Sequence, residues 1–122
     1  MYVLSLILVA TAGPAVTTPI DQDASAIPKK FWGEWARSPG DCNSRGGENS
    51  SGFTVSARTI VYYEDSEEVQ QVRETGPNSL SYTSKFSSTD GEEPSTGMLR
   101  LSSDGKRMLG ADRSEDLVRC TK

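Results

Sequence analysis

No histidine occurs in the 122 residues. That absence removes imidazole both as a metal ligand and as the commonest general base. Cysteine is almost missing too, with Cys42 and Cys120 the only two. At 78 positions apart they lack the C-x-x-C spacing of a redox pair. Once bonded to each other they leave no thiolate for zinc or for nucleophilic attack. Serines are plentiful, but activating one needs a base, and only lysine or carboxylate is on offer. Clustered positive charge is missing as well. The net charge is −4 with a pI near 4.8, and lysine and arginine are scattered singly apart from Lys29-Lys30 and Lys106-Arg107. Neither a nucleic-acid track nor an anionic membrane surface is expected to be matched by such a distribution. No segment carries a helical apolar period of useful length, and no internal repeat is visible.

The longest apolar run, residues 2–10, is about half of the roughly 20 residues a membrane span requires. It is followed by Ala10-Thr11-Ala12, and the pair reads as a secretory signal peptide over 1–12, cut after Ala12 or Ala15. No cysteine follows to carry a lipid anchor. The expected location is therefore periplasmic or secreted, with no membrane span in the mature form. An oxidising compartment lets Cys42 pair with Cys120. Residues 13–30 hold three prolines and no usable period, and read as a flexible N-terminal arm. The folded domain is expected over 31–122.

From residue 31 the texture changes to short strand-like runs parted by turn residues. Strands are expected at 31–37, 53–56, 59–64, 69–75, 79–87, 96–102, 107–111 and 116–121. The punctuation "TGPNS", "TDGEEP" and "SSDGKR" has the Gly, Pro and Asn or Asp of tight turns, and "SDGK" is the strongest hairpin signal. Leu80, Tyr82 and Phe86 share one face of their strand, and Leu99 and Leu101 share one face of theirs, with Met98 and Arg100 opposite. "TIVYYE" is apolar on both faces. Eight half-buried strands joined by short hairpins give an all-β fold, a small eight-stranded up-and-down antiparallel barrel with one disulfide.

The carboxylates gather in two places, Glu64, Asp65, Glu67 and Glu68, then Asp90, Glu92 and Glu93. A paired-carboxylate hydrolase is the active reading. Solvated turn tips are the quieter one and fit the adjoining Gly and Ser better. Neither group has the ligand order of a calcium loop. No enzyme activity, cofactor or metal is expected.

Both tryptophans fall within residues 27–42, in "IPKKFWGEWARSPGDC". Gly33 and Trp35 make a Gly-x-Trp at the first strand, and Arg119 stands in the last. This pattern resembles the calycin superfamily, to which lipocalins belong. The resemblance implies that Trp35 closes the barrel base with Arg119 across its ring, while Gly33 lets a neighbouring group come close. The chain is shorter than a lipocalin and has no middle motif. Its layout is also similar to uncharacterised alphaproteobacterial secreted barrels. More distantly it is like Inh-type metalloprotease inhibitors, whose disulfide lies elsewhere. Trp32 and Tyr63 fall on faces that need not be core, and are candidate contact residues. The expected function is non-catalytic binding of a small apolar ligand or of a secreted or envelope protein's surface. The rivals are an inhibitor of a secreted hydrolase (Inh-like or lysozyme-inhibitor-like), acting through its arm or an acidic loop, and a structural envelope protein without a discrete site.

Overall fold

The computed structural model describes residues 23–112 and 115–121. The expected signal peptide, its cleavage site and the arm as far as residue 22 lie outside them. Among the described residues the chain is all-β with three single-turn 3-10 helices. The two-residue strand β1 (Asp23–Ala24) is followed by β2 (Gly33–Ala36), β3 (Phe53–Val55), β4 (Thr59–Val61) and β5 (Ser66–Gly76). Then come β6 (Ser79–Ser88), β7 (Gly91–Arg100), β8 (Arg107–Asp112) and β9 (Glu115–Arg119). All pairings are antiparallel, in the order β7-β6-β5-β4-β3-β2-β9-β8, with β1 on β5.

The sheet curls into a half-barrel and does not close, which corrects the expected closed barrel. β6 and β7 pair over ten residues, from Ser79↔Arg100 to Ser88↔Gly91. β8 meets β7's end only through the Leu101↔Met108 bridge and the Ser102 N–H to Arg107 carbonyl bond of 3.0 Å. Beyond it β8 follows β9 through an irregularity between Met108 and Asp112, so among the described residues the edge of β7 away from β6 is left open. A closed ring needs a ladder at every seam, and the β7–β8 seam has a single bridge.

Other boundaries differ for local reasons. Lys29–Phe31 is a 3-10 turn, so the first barrel strand starts at Gly33 and not at residue 31. Residues 91–94, expected as part of a turn, belong to β7; the turn is confined to Thr89 and Asp90. From Asp23 on, the expected arm is part of the fold. Ile27 is buried and its N–H donates to the Ala57 carbonyl at 2.8 Å.

The interior is filled. Ile27, Phe31, Trp35, Ile60, Leu80, Met108 and Leu117 are essentially inaccessible, and Tyr82, Leu99 and Leu101 complete the cluster. Each such side chain contributes about 1.5–3 kcal/mol of burial. The strand alternation places Leu80, Tyr82 and Leu99 inward and leaves Met98 66% exposed. Gly97 belongs to this packing: a Cβ there would lie 2.4 Å from the Tyr82 hydroxyl oxygen and 2.6 Å from its Cζ. The Tyr82 ring covers Gly97 across the β6–β7 pair, as aromatics do over glycines in sheets.

Candidate functional site

The turns of an up-and-down sheet fall at two ends, and the two ends differ in chemistry. At one end Trp35 is fully buried and its indole N–H donates to the Phe31 carbonyl at 3.0 Å. The Arg119 guanidinium lies over the ring, 4.3 Å from its centroid. The register explains the meeting, since Trp35 stands opposite Arg119 in the β2–β9 pair. The same guanidinium donates to three carbonyls: Trp32 at 2.7 Å, Lys30 at 2.8 Å and Gly105 at 3.2 Å. Partial burial lowers its pKa. Gly33 has φ +123°, and a Cβ there would sit 3.4 Å from Arg119 Nη1, so glycine satisfies both the backbone and the close approach. The structure thus brings Gly33, Trp35 and Arg119 together.

Cys42 and Cys120 are bonded, with Cα atoms 5.8 Å apart. The bridge holds the 38–52 loop against β2, where Glu34 accepts the Asn43 and Ser44 N–H groups at 2.6 and 3.1 Å and the Asn49 amide at 3.1 Å. Burial works against the Glu34 charge, but these hydrogen bonds outweigh it and its pKa is lowered. Among the described residues Glu34, Cys42 and Cys120 form one close set of potential metal ligands. Its sulfurs are joined to each other, which leaves a metal only the carboxylate.

At the other end sits a group that the sequence reading placed in solvent. Glu67, expected on an acidic turn tip, is 4% exposed. It faces inward from β5 opposite Phe86 and accepts hydroxyl hydrogens from Tyr62, from Ser84 at 2.6 Å and from Tyr82 at 3.3 Å. Burial, aided by the neighbouring carboxylate, pushes both tyrosine pKa values up. Tyr62 also packs against Phe53 and Phe86, at centroid distances of 5.7 and 6.1 Å. The clue in the sequence was strand phase: Glu67 lies two residues before Val69 and shares its face. What this arrangement does chemically is fix two tyrosine rings and the Tyr62–Asp65 turn, closed by the Tyr62 N–H to Asp65 carbonyl bond of 2.8 Å.

On that anchored turn Tyr63 is 53% exposed, and Val61, the last residue of β4 before it, is 47% exposed. The Tyr63 hydroxyl donates to Glu48, which raises its pKa. Hollows on either side are lined by Tyr62, Tyr63, Glu64 and Asp65, one with Ser87 and Ser88 and the other with Ser50 and Ser51. Trp32 lies elsewhere. It precedes β2 at the Arg119 end, half-buried, with its indole N–H on the Ile27 carbonyl at 2.7 Å. Trp32 and Tyr63 therefore do not form one surface.

The charges divide between the ends. Around Arg119 the turns bring together Lys29, Lys30, Arg58, Arg100, Lys106 and Arg107, all exposed. Around Tyr63 stand Glu48, Glu64, Asp65, Asp90 and Glu92. Among the described residues no helix is long and apolar enough to cross a membrane. The chain matches no protein-family model, no curated protein and no solved structure.

Proposed function

We propose that this chain is a non-catalytic binding protein, acting in the periplasm or outside the cell, whose target is a protein surface. The observation that carries the reading is the exposure of Tyr63, on a turn anchored from beneath by Tyr62 and Glu67, and of Val61 at the end of the strand that enters it. Aromatic and aliphatic side chains on a rigid support lose little entropy on association. The filled interior withdraws support from a small apolar ligand, because the inward positions are occupied by Trp35, Leu80, Tyr82, Leu99 and Leu101. An inhibitor of a secreted hydrolase is the form of this reading in which the target is an enzyme. The Tyr62–Asp65 turn supports it better than the arm does, since the segment from Asp23 onward is packed against β5. The Gly33–Trp35–Arg119 arrangement favours a calycin-like base, and the open β7–β8 seam argues against a lipocalin-like cup.

The test compares captures. Wild-type protein, Val61→Ser/Tyr63→Ala and Met98→Ser are immobilised and exposed to periplasmic extract, and retained proteins are identified by mass spectrometry. A protein retained by wild type and Met98→Ser but lost from the double variant supports the reading. Identical captures from all three, or a stoichiometric apolar molecule in native mass spectra, count against it.

A further inference from the structure

We infer that the basic end of the half-barrel docks on an anionic phospholipid surface. This concerns the end opposite the Tyr62–Asp65 turn and does not depend on the target proposed there. The two basic doublets, Lys29-Lys30 and Lys106-Arg107, are far apart in the chain, and on that ground a charged patch was not expected. Arg119 brings them together. Its guanidinium binds the carbonyls of Lys30 and Gly105, and its own N–H donates to the Lys106 carbonyl at 3.1 Å. The β5–β6 turn joins them through the hydrogen bond from Lys30 Nζ to the Pro77 carbonyl. It also places Arg100 alongside, since the Leu101 N–H donates to the Asn78 carbonyl at 2.8 Å. The β3–β4 turn adds Arg58, next to the Ala57 carbonyl that Ile27 binds.

Three carboxylates stand at this end against the cations: Glu34, whose charge is taken up by the Asn43, Ser44 and Asn49 donors, Glu74 and Asp104. Glu74 leads into the β5–β6 turn, and Asp104 is held by the Lys106 N–H at 3.0 Å and the Ser102 hydroxyl at 2.7 Å. Trp32 sits among the cations, with Lys29 Nζ 5.9 Å from its ring centroid. Half-buried tryptophan beside lysine is a pairing suited to the headgroup region, where a ring with an apolar body and a polar edge is partly wet. The patch is built from turns that cap one end of the sheet, and an end cap meets a plane better than it tracks a nucleic-acid strand, which calls for a groove.

The net charge of −4 does not oppose such docking. Strand β6, at ten residues, spans roughly 33 Å, whereas the screening length is about 8 Å at physiological salt. The surface therefore feels the near end alone, and the acidic far end orients the approach.

The full chain is mixed with vesicles of phosphatidylcholine, or of phosphatidylcholine with phosphatidylglycerol, and the bound fraction is measured by sedimentation. The zwitterionic vesicles report whatever the apolar residues 2–10 contribute. Expected is binding that needs phosphatidylglycerol, weakens with salt and shifts Trp32 emission to the blue. Lys29→Gln/Lys106→Gln/Arg107→Gln should reduce partitioning about fivefold per residue, while Glu64→Gln/Asp65→Asn should not weaken it. Retention of the Cys42–Cys120 bond and of near-ultraviolet dichroism shows that each variant is folded. Equal binding to both vesicles, wild-type binding by the triple variant, or displacement by a single-stranded oligonucleotide at equal phosphate would overturn the inference.

Discussion

Arg119→Met tests whether the guanidinium plugs the base of the sheet. Methionine keeps much of the apolar stem but loses the contact over Trp35 and the bonds to three carbonyls. The indole contact is worth about 1 kcal/mol. The Trp32 and Gly105 carbonyls are partly buried, and losing a charged donor there costs about 1 kcal/mol each, below the usual range because water can reach them. The Lys30 carbonyl is exposed and is counted as nothing. The total is about 3 kcal/mol, which lowers the melting temperature by about 12–24 °C in a domain of this size. Urea unfolding at neutral pH, with the disulfide intact and tryptophan emission as the probe, measures it. Arg119→Lys keeps the charge but not the planar fork, and should recover about 1 kcal/mol. A loss below 1 kcal/mol in the methionine variant, or wild-type stability in the lysine variant, would refute the plug.

The tyrosines that face Glu67 should make the fold sensitive to alkali. Both have pKa values raised in the folded state, so their contribution is complete below about pH 10, the unfolded value, and is lost above it at about 1.4 kcal/mol per pH unit each. Urea titrations on either side of pH 10 should show that slope halved in Tyr62→Phe. Gly97→Ala should cost about 1–3 kcal/mol through collision with the Tyr82 ring. In a Tyr82→Leu background the extra cost should disappear, and a double-mutant cycle with no coupling would contradict the packing. Along β7 the Leu101 N–H points to β6 and the Ser102 N–H away from it, so Pro94, of Ser102's parity, faces the open edge. Pro94→Val restores a donor there and should give concentration-dependent association in sedimentation velocity; an unchanged monomer would show that proline is not the edge's guard.

Where structure is set by near neighbours, it was legible in the sequence. Turn residues placed the β5–β6 and β6–β7 hairpins, and side-chain alternation put Leu80, Tyr82 and Leu99 on the inner face; "SDGK" makes a turn, but β8 leaves β7 after a single bridge. The Cys42–Cys120 pairing followed from there being no third thiol. What escaped depends on neighbours far along the chain. The open seam is set by where β8 turns away from β7, which no local pattern encodes. Glu67 read as solvated because burial of a carboxylate is decided by donors 5, 15 and 17 residues away in Tyr62, Tyr82 and Ser84. Residues 91–94 read as a turn because Glu92, Glu93 and Pro94 are poor strand formers, yet an edge tolerates all three. The basic end was hidden for the same reason, its two doublets meeting only once Arg119 is in place.

The β2–β9 seam joins the paired strands that lie farthest apart in sequence. Every strand from β3 to β7 lies beside its predecessor, whereas β9 must return to β2, and Cys120 follows β9 directly. Hairpins can assemble one after another at small loop-closing cost, but the return of β9 closes the widest loop and comes at the largest entropy. The sulfurs come within reach only after that return. Oxidation therefore works as a seal applied to the finished article, and a thiol-reactive label would count the molecules that never completed the circuit.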